Sequence, residues 1–293
     1  MTRRIKKVAI VGSGIMGSGI ACHFANIGVE VLLLDIIPRE LNEKEKAKGL
    51  SLKDSVVRNR LVNEALKTSL KSKPSPIYSQ KFADRIKTGN IEDDLHKIKD
   101  VDWIMEVVVE RLDIKQQVFE KIEKHRTPGT LITSNTSGIP IKFMNEGRSE
   151  DFQKHFAVTH FFNPPRYLRL FEVIPHTETD PSLTSFLMEF GDLVLGKQTV
   201  LCKDTPGFIG NRIGVMSGIK VLQLTEKYNF TIEEVDLLTG TVIGHPSSGS
   251  FRLQDIVGLD TSDKVTNFLV DNVKNDTFYN NLKINLKINH LNF

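Results

Sequence analysis

The sequence predicts an α/β chain, a doubly wound sheet with a helical hairpin inserted near its start, followed by a smaller all-α domain. Three observations predict it. A glycine-rich turn separates a short β-branched run from a helical pattern in "KKVAIVGSGIMGSGIACHFANIGVEVLLLD". Apolar runs and helical patterns then alternate as far as "KQTVLCKD". After "DTPGFIGNR" only helical periodicity remains, so the domains are expected to be residues 1–202 and 203–293.

The first run, "KVAIV", is a strand expected to lie inside a sheet. Ile20, Phe24 and Ile27 then fall on one face of a helix that Gly28 stops, and the run Val29 to Leu34 ends in Asp35. Strand, turn, helix and strand make a βαβ unit, whose crossover is right-handed. Within the turn, Gly12 is needed for tightness, Gly14 for close approach of the backbone to a pyrophosphate, and Gly17 for helix–sheet packing. The segment Gly12, Ser13, Gly14, Ile15, Met16, Gly17 therefore reads as a phosphate cradle at a helix N-terminus. Asp35 sits where a carboxylate can accept both ribose hydroxyls of an adenosine and repel a 2′-phosphate, which selects NAD over NADP and makes the sheet Rossmann-type. Arg39, close by, works against that preference. A bare GxGxxG also arises as a packing turn; here the flanking strand, helix and acid supply the missing context.

From Ile37 to Leu95 the chain is polar, Lys-rich and helical in period. Lys48, Lys53, Arg58 and Arg60 are expected to form a solvated face there, with contacts to substrate phosphates as the alternative. "VDWIMEVVVE" reads as a strand buried on both sides, followed by the helix "DIKQQVFEKIEKH" and the strand "TLITSNTS". Ligands of open α/β sheets collect at the carboxyl ends of strands, which makes Glu110, Lys115 and Ser137 candidates for the nicotinamide half of the cofactor. Glu106, deeper in its strand, has no assignable partner. Asp180 reads as a helix N-cap with Pro181 at the first helical position, and Thr231 with Glu234 as a capping box. The tail "NNLKINLKINHLNF" is biased towards Asn, Lys and Ile and poorly suited to packing.

Composition narrows the function classes. The 293 residues are 40% hydrophobic and 26% charged, with a formal charge of +3 spread along the chain, so nucleic acid is not an expected partner. No apolar run approaches the ~20 residues that cross a bilayer, so no membrane partner is expected. Cys22 and Cys202 show neither CxxC spacing nor a histidine cluster, which argues against a metal and for a reducing, cytoplasmic setting.

The chemistry-bearing stretch is "HFFNPPRYLRLFEV". If the runs on either side of Pro164-Pro165 pair as an antiparallel hairpin centred on Arg166, His160 faces Glu172. Directly opposed Cβ atoms lie ~4.5–5.5 Å apart, within reach of an imidazole–carboxylate hydrogen bond. The carboxylate would fix the ring tautomer and stabilise the imidazolium, leaving the second nitrogen to act as a general base. The other reading is a purely structural ion pair. His155, five residues earlier and on the other face by alternation, is expected to be structural. A base beside a dinucleotide site suggests hydride transfer from an alcohol carbon, with Ser137 and Asn211 holding the hydroxyl through neutral hydrogen bonds.

With these stretches in place, the chain resembles the L-3-hydroxyacyl-CoA dehydrogenase family through "VAIVGSGIMGSGIA", "VVVERLDIKQQVF", "SNTS", "HFFNPP", "LFEV", "DTPGFIGNRI" and "FRLQDIVGLDT". The resemblance implies NAD-dependent oxidation of a (3S)-3-hydroxyacyl-CoA to the 3-oxoacyl thioester, as in β-oxidation, with an acyl-CoA as substrate. It also implies His160 as base with Glu172 as its partner, Ser137 and Asn211 on the substrate, and Asp35, Glu110, Lys115 and Asn163 around NAD. Coenzyme A is implied along the helical excursion, and a homodimer through the helical domain. "KPSPIY", "GNIEDDL" and "HPSSGSFRLQDIVGLDT" look like the long members fused to an enoyl-CoA hydratase module. The Asn/Lys tail stands where the family has a "GxGFY" ending, so the helical domain is expected to be incomplete. Two other readings are a truncated, non-catalytic dinucleotide-binding protein and a crystallin-like sugar-acid dehydrogenase that uses no coenzyme A.

Overall fold

The structure, a computed structural model, describes residues 3–273, and the Asn/Lys-rich tail lies outside them. The chain divides into two compact units after Asp204. The first holds an eight-stranded sheet of β1 (Lys7–Val11), β2 (Glu30–Asp35), β3 (Ile86–Asn90), β4 (Trp103–Glu106), β5 (Leu131–Ser134), β6 (Phe156–Phe161), β7 (Leu170–Pro175) and β8 (Gln198–Leu201). Their spatial order is β3-β2-β1-β4-β5-β6-β7-β8. Strands β1 to β6 run parallel, β7 turns back against β6, and β8 runs parallel to β7. The order reverses between β1 and β4, so the crevice beyond their carboxyl ends is where a nucleotide binds in such sheets.

Both sheet faces are covered, which is why the inner strands are apolar without alternation. Helices Ile15–Asn26, Arg60–Lys71 and Pro181–Leu193 share one core, with Ile20, Phe24, Val62, Leu183, Phe186 and Phe190 buried in it. Trp103 sits edge-on between Phe24 at 5.4 Å and Phe190 at 5.9 Å, and its indole N–H donates to Thr133 Oγ1 at 2.9 Å. A separate aromatic cluster joins Phe119 of helix Leu112–His125 to Phe152 and Phe156, with ring centroids 5.1–5.6 Å apart. Asp180 caps Pro181–Leu193 by accepting the Ser182 amide, with proline at the first helical position.

Four details depart from the sequence reading. The excursion ends in a strand: β3, sequence IKTGN, pairs with β2 at the sheet's edge. It is short and polar, with Lys87 exposed and Gly89 and Asn90 buried, so it carries no apolar signal. The run "VDWIMEVVVE" yields only four strand residues, because the Glu106 carboxylate takes the Val108 amide and turns the chain out of the ladder. His155 precedes β6 as the C-cap of helix Glu150–Lys154, with Nδ1 on the Asp151 carbonyl at 2.7 Å, so strand alternation does not apply to it. Arg58 and Arg60 are not merely solvated: Arg58 forks onto Asp93 at 2.6 and 2.7 Å, and Arg60 pairs with Glu45 and the Glu40 carbonyl.

Among its described residues, the second unit is helical: Gly210–Tyr228, Ile232–Leu238, Phe251–Val257 and Leu259–Asn272. Ile219, Leu269, Val270 and Val273 form its small buried core. Asn229, left-handed at φ 53°, ends the first helix, and the Thr231–Glu234 capping box starts the second.

Candidate active site

Three constellations gather at the carboxyl ends of the parallel strands. The first is the turn after β1. Gly12 has φ +109°, and a Cβ there would stand 2.4 Å from the Val107 carbonyl oxygen, where the β4 turn crosses it. A Cβ on Gly17 would stand 1.8 Å from the Gly12 carbonyl oxygen, so this glycine permits the helix to rise directly off the turn. At Gly14 the space is open, with nothing within 4 Å of the Cβ position. Gly14 also offers no capping side chain, so the first amides of helix Ile15–Asn26 present its positive end. Asp35, at the end of β2, already braces this turn: it accepts the Ser13 amide at 2.8 Å and the Ser13 hydroxyl on Oδ2, and the Ile36 amide on Oδ1 at 2.7 Å. Ile15 is exposed, and Met16 packs on the core beneath. An open glycine cradle, an uncapped helix start and an acid at the next strand's end fit a dinucleotide.

The second constellation centres on Glu106, which is fully buried with Lys115 against it. Lys115 Nζ donates to Oε1 at 2.9 Å and Oε2 at 3.0 Å, the Ser134 hydroxyl donates to Oε2 at 2.5 Å, and the Val108 amide to Oε1 at 2.7 Å. The same ammonium lies 3.3 Å from Glu110 Oε2. Glu110 Oε1 in turn accepts the Thr136 hydroxyl at 2.5 Å, the Ser137 amide at 2.9 Å, the Ser137 hydroxyl at 3.3 Å and the Gly138 amide at 3.2 Å. Burial alone would raise the Glu110 carboxyl, but Lys115, the Thr136 hydroxyl and the Ser137 amide outweigh it and hold the group below its ordinary value. Glu110, Lys115 and Ser137 thus belong to one network, anchored by a residue whose partner the sequence did not reveal. One signal was present: an acid inside the otherwise apolar WIME strand demands a cation, and Lys115 is the first one on the helix that follows.

The third is the hairpin β6–β7. Its register sets His160 opposite Glu172, with Nδ1 2.7 Å from Oε2 and both side chains buried. The Phe162 ring lies 4.4 Å from the imidazole, and Asn135 Oδ1 accepts the Phe161 amide at 2.9 Å, tying the end of β5 to the end of β6. Asn163 is exposed in the loop that follows. Asn211 is half-buried near the start of helix Gly210–Tyr228 in the second unit. One residue bearing on this hairpin had no sequence signal: Lys197, just before β8, donates to the Pro165 and Leu168 carbonyls of its loop.

Fold and site together define a dinucleotide-binding α/β chain with a carboxylate-held imidazole at the mouth of its sheet. Comparisons with known proteins specify it further. Residues 7–205 match the family model "3-hydroxyacyl-CoA dehydrogenase, NAD binding domain", and residues 207–290 match "3-hydroxyacyl-CoA dehydrogenase, C-terminal domain". A probable 3-hydroxyacyl-CoA dehydrogenase of Bacillus subtilis is 50% identical over 94% of this chain, which spans 35% of that protein's length. Another from Deinococcus radiodurans is 46% identical over 88% of this chain and 70% of its own. The solved (S)-3-hydroxybutyryl-CoA dehydrogenase of Ralstonia eutropha superposes with a TM-score of 0.71 at 26% identity, covering 94% of this chain and 90% of that one. The chain belongs to the 3-hydroxyacyl-CoA dehydrogenase family.

Proposed function

We propose that this chain catalyses the NAD-dependent oxidation of a (3S)-3-hydroxyacyl-CoA to the 3-oxoacyl-CoA, the alcohol-oxidising step of fatty-acid β-oxidation. The observation that carries it is the 2.7 Å bond between His160 Nδ1 and Glu172 Oε2 at the carboxyl end of β6. With Nδ1–H donating to the carboxylate, Nε2 holds the lone pair that takes the substrate's hydroxyl proton, and Glu172 stabilises the imidazolium that results. NAD, when bound, supplies the acceptor for the hydride from the carbinol carbon. Gly12 to Gly17 and Asp35 hold its adenosine and pyrophosphate, and Glu110, Lys115 and Asn163 its nicotinamide half. Ser137, fixed by Glu110, orients the hydroxyl together with Asn211.

The finer assignments belong to the same proposal. The second unit, which begins at Thr205, serves as the substrate and dimerisation domain, and exposed Leu237, Val242, Ile256 and Leu259 favour a homodimer through it. Coenzyme A lies along the Lys- and Arg-bearing helices before β3. No described helix is long and apolar enough to cross a membrane, and the two cysteines are buried thiols, which favours the cytoplasm.

Purified protein should reduce NAD in the presence of (3S)-3-hydroxybutyryl-CoA, and far less with the free hydroxy acid. His160→Gln should lose ~10²–10⁴ in kcat while NAD affinity by calorimetry stays the same. Equal turnover by variant and parent would remove His160 from the mechanism.

A further inference from the structure

The loop that joins the strand of His160 to the strand of Glu172 is gripped from inside by a buried cation. Lys197 is 5% exposed. Its Nζ donates to the Pro165 carbonyl and, at 2.7 Å, to the Leu168 carbonyl, and it lies 5.8 Å from the centre of the Phe161 ring. Its own backbone is fixed: its amide donates to the Gly191 carbonyl at 2.9 Å, and the next residue, Gln198, donates to the Arg169 carbonyl at 2.8 Å and pairs with Leu170. The loop is thus fastened to the edge strand at the turn between base and acid. On its outer side Arg166 donates to the Ser75 and Ile77 carbonyls and stacks over Tyr78 at 3.8 Å.

A buried ammonium is costly unless something offsets its lost water. Here the offset comes from neutral carbonyls, and no carboxylate compensates: desolvation alone brings Lys197 from its ordinary value of 10.5 down to about 8. The charged groups on the elements around it do not reverse this. His23, from helix Ile15–Asn26, is itself pushed down by burial and then by Lys197, and Arg166 adds positive charge. On helix Pro181–Leu193, Glu189 is exposed and Asp192 takes the Thr199 amide and hydroxyl. Glu172 belongs to the neighbouring strand, but strand alternation sends it, with His160, to the face opposite Phe161.

The geometry points to Lys197 as a positioning residue: its ammonium holds the hairpin loop so that His160 stays in register with Glu172 and Asn163 is presented at the sheet edge. Charge-assisted bonds are about twice as strong as neutral ones, so the grip weakens once the ammonium loses its proton. The loop then gains freedom, and turnover acquires an alkaline limit set by a residue that touches neither substrate nor cofactor.

This inference rests on the dehydrogenase reading, and its test has one arm that does not. In the first arm, backbone amide resonances of Asn163 and Arg166 are followed by NMR as pH rises. They should shift together with a midpoint near 8 in the parent and show no such step in Lys197→Met. In the second arm, kcat and KM for NAD reduction with 3-hydroxybutyryl-CoA are measured across the same range for the parent, Lys197→Met and Lys197→Arg. The parent should lose turnover above pH 8. Lys197→Met should turn over at least about tenfold more slowly, with KM for NAD changed much less and no alkaline step. Lys197→Arg, charged throughout, should carry its turnover past the parent's limit. Parent-like kcat and an unmoved alkaline limb in Lys197→Met would overturn the inference, as would loop resonances that ignore pH in the parent. If Lys197→Met fails to fold by circular dichroism, the parent's NMR titration decides alone. If the parent turns over no hydroxyacyl thioester, the dehydrogenase reading fails while that titration still judges the clamp.

Discussion

His160 and Glu172 were legible because a hairpin is local: two apolar runs and a Pro-Pro turn set the register, and the register sets the pair. Glu106 and Lys197 were not, because each buried charge finds its partner on a different element, and the packing that brings the two elements together is not written in local sequence. Lys115 reaches Glu106 from the next helix, and Lys197 reaches residues 165 and 168 from β8's approach. His23 shows the consequence of this setting for stability. Burial first, then the charge of Lys197, bring it from its ordinary 6.5 down to about 4. As the pH falls from 6.5 to 4, the unfolded chain takes up a proton there that the folded chain refuses, so folding loses stability. The loss reaches on the order of 3 kcal/mol by the bottom of that window. His23→Gln should therefore lose less stability than the parent when denaturant midpoints are compared on either side of it. Parallel losses in the two proteins would contradict this role.

At the scale of elements, the βαβ unit was the clearest sequence signal, since periodicity, glycine spacing and a terminal acid agreed. Edges and ends were the weak points. β3 carries no apolar pattern because only Ile86 of its five residues is apolar, the buried Gly89 and Asn90 included, and β4 stops at Glu106 because a side chain, not a turn residue, captures the Val108 amide. Close packing of the helix on the turn makes Gly17 a specific test. Gly17→Ala puts a methyl group 1.8 Å from the Gly12 carbonyl oxygen, and backbone must move to admit it. Overpacking of this kind costs ~1–3 kcal/mol. The variant should melt several degrees lower and bind NAD at least about tenfold more weakly by calorimetry. An unchanged affinity would show that the cradle tolerates the shift.

For the molecule as a whole, the α/β class and the helical second unit followed from one change in pattern, alternation giving way to helices after "KQTVLCKD". The family followed from motifs distributed along both units, in agreement with the two matched regions. What unites the site is a set of polar bonds along the sheet's carboxyl edge, from part-exposed to fully buried: Asp35 to Ser13, Glu106 to Lys115 to Glu110 to Ser137, Asn135 to Phe161, and His160 to Glu172. The last of these carries the chemistry, and a double-mutant cycle on it is the most direct test. Turnover of 3-hydroxybutyryl-CoA is measured for the parent, His160→Gln, Glu172→Gln and the double variant. Because the carboxylate acts only through the imidazole, Glu172→Gln should slow the parent by at least about tenfold and leave the His160→Gln rate essentially unchanged. Losses that simply multiply, or a Glu172→Gln enzyme as fast as the parent, would mean that the two residues do not act as one base.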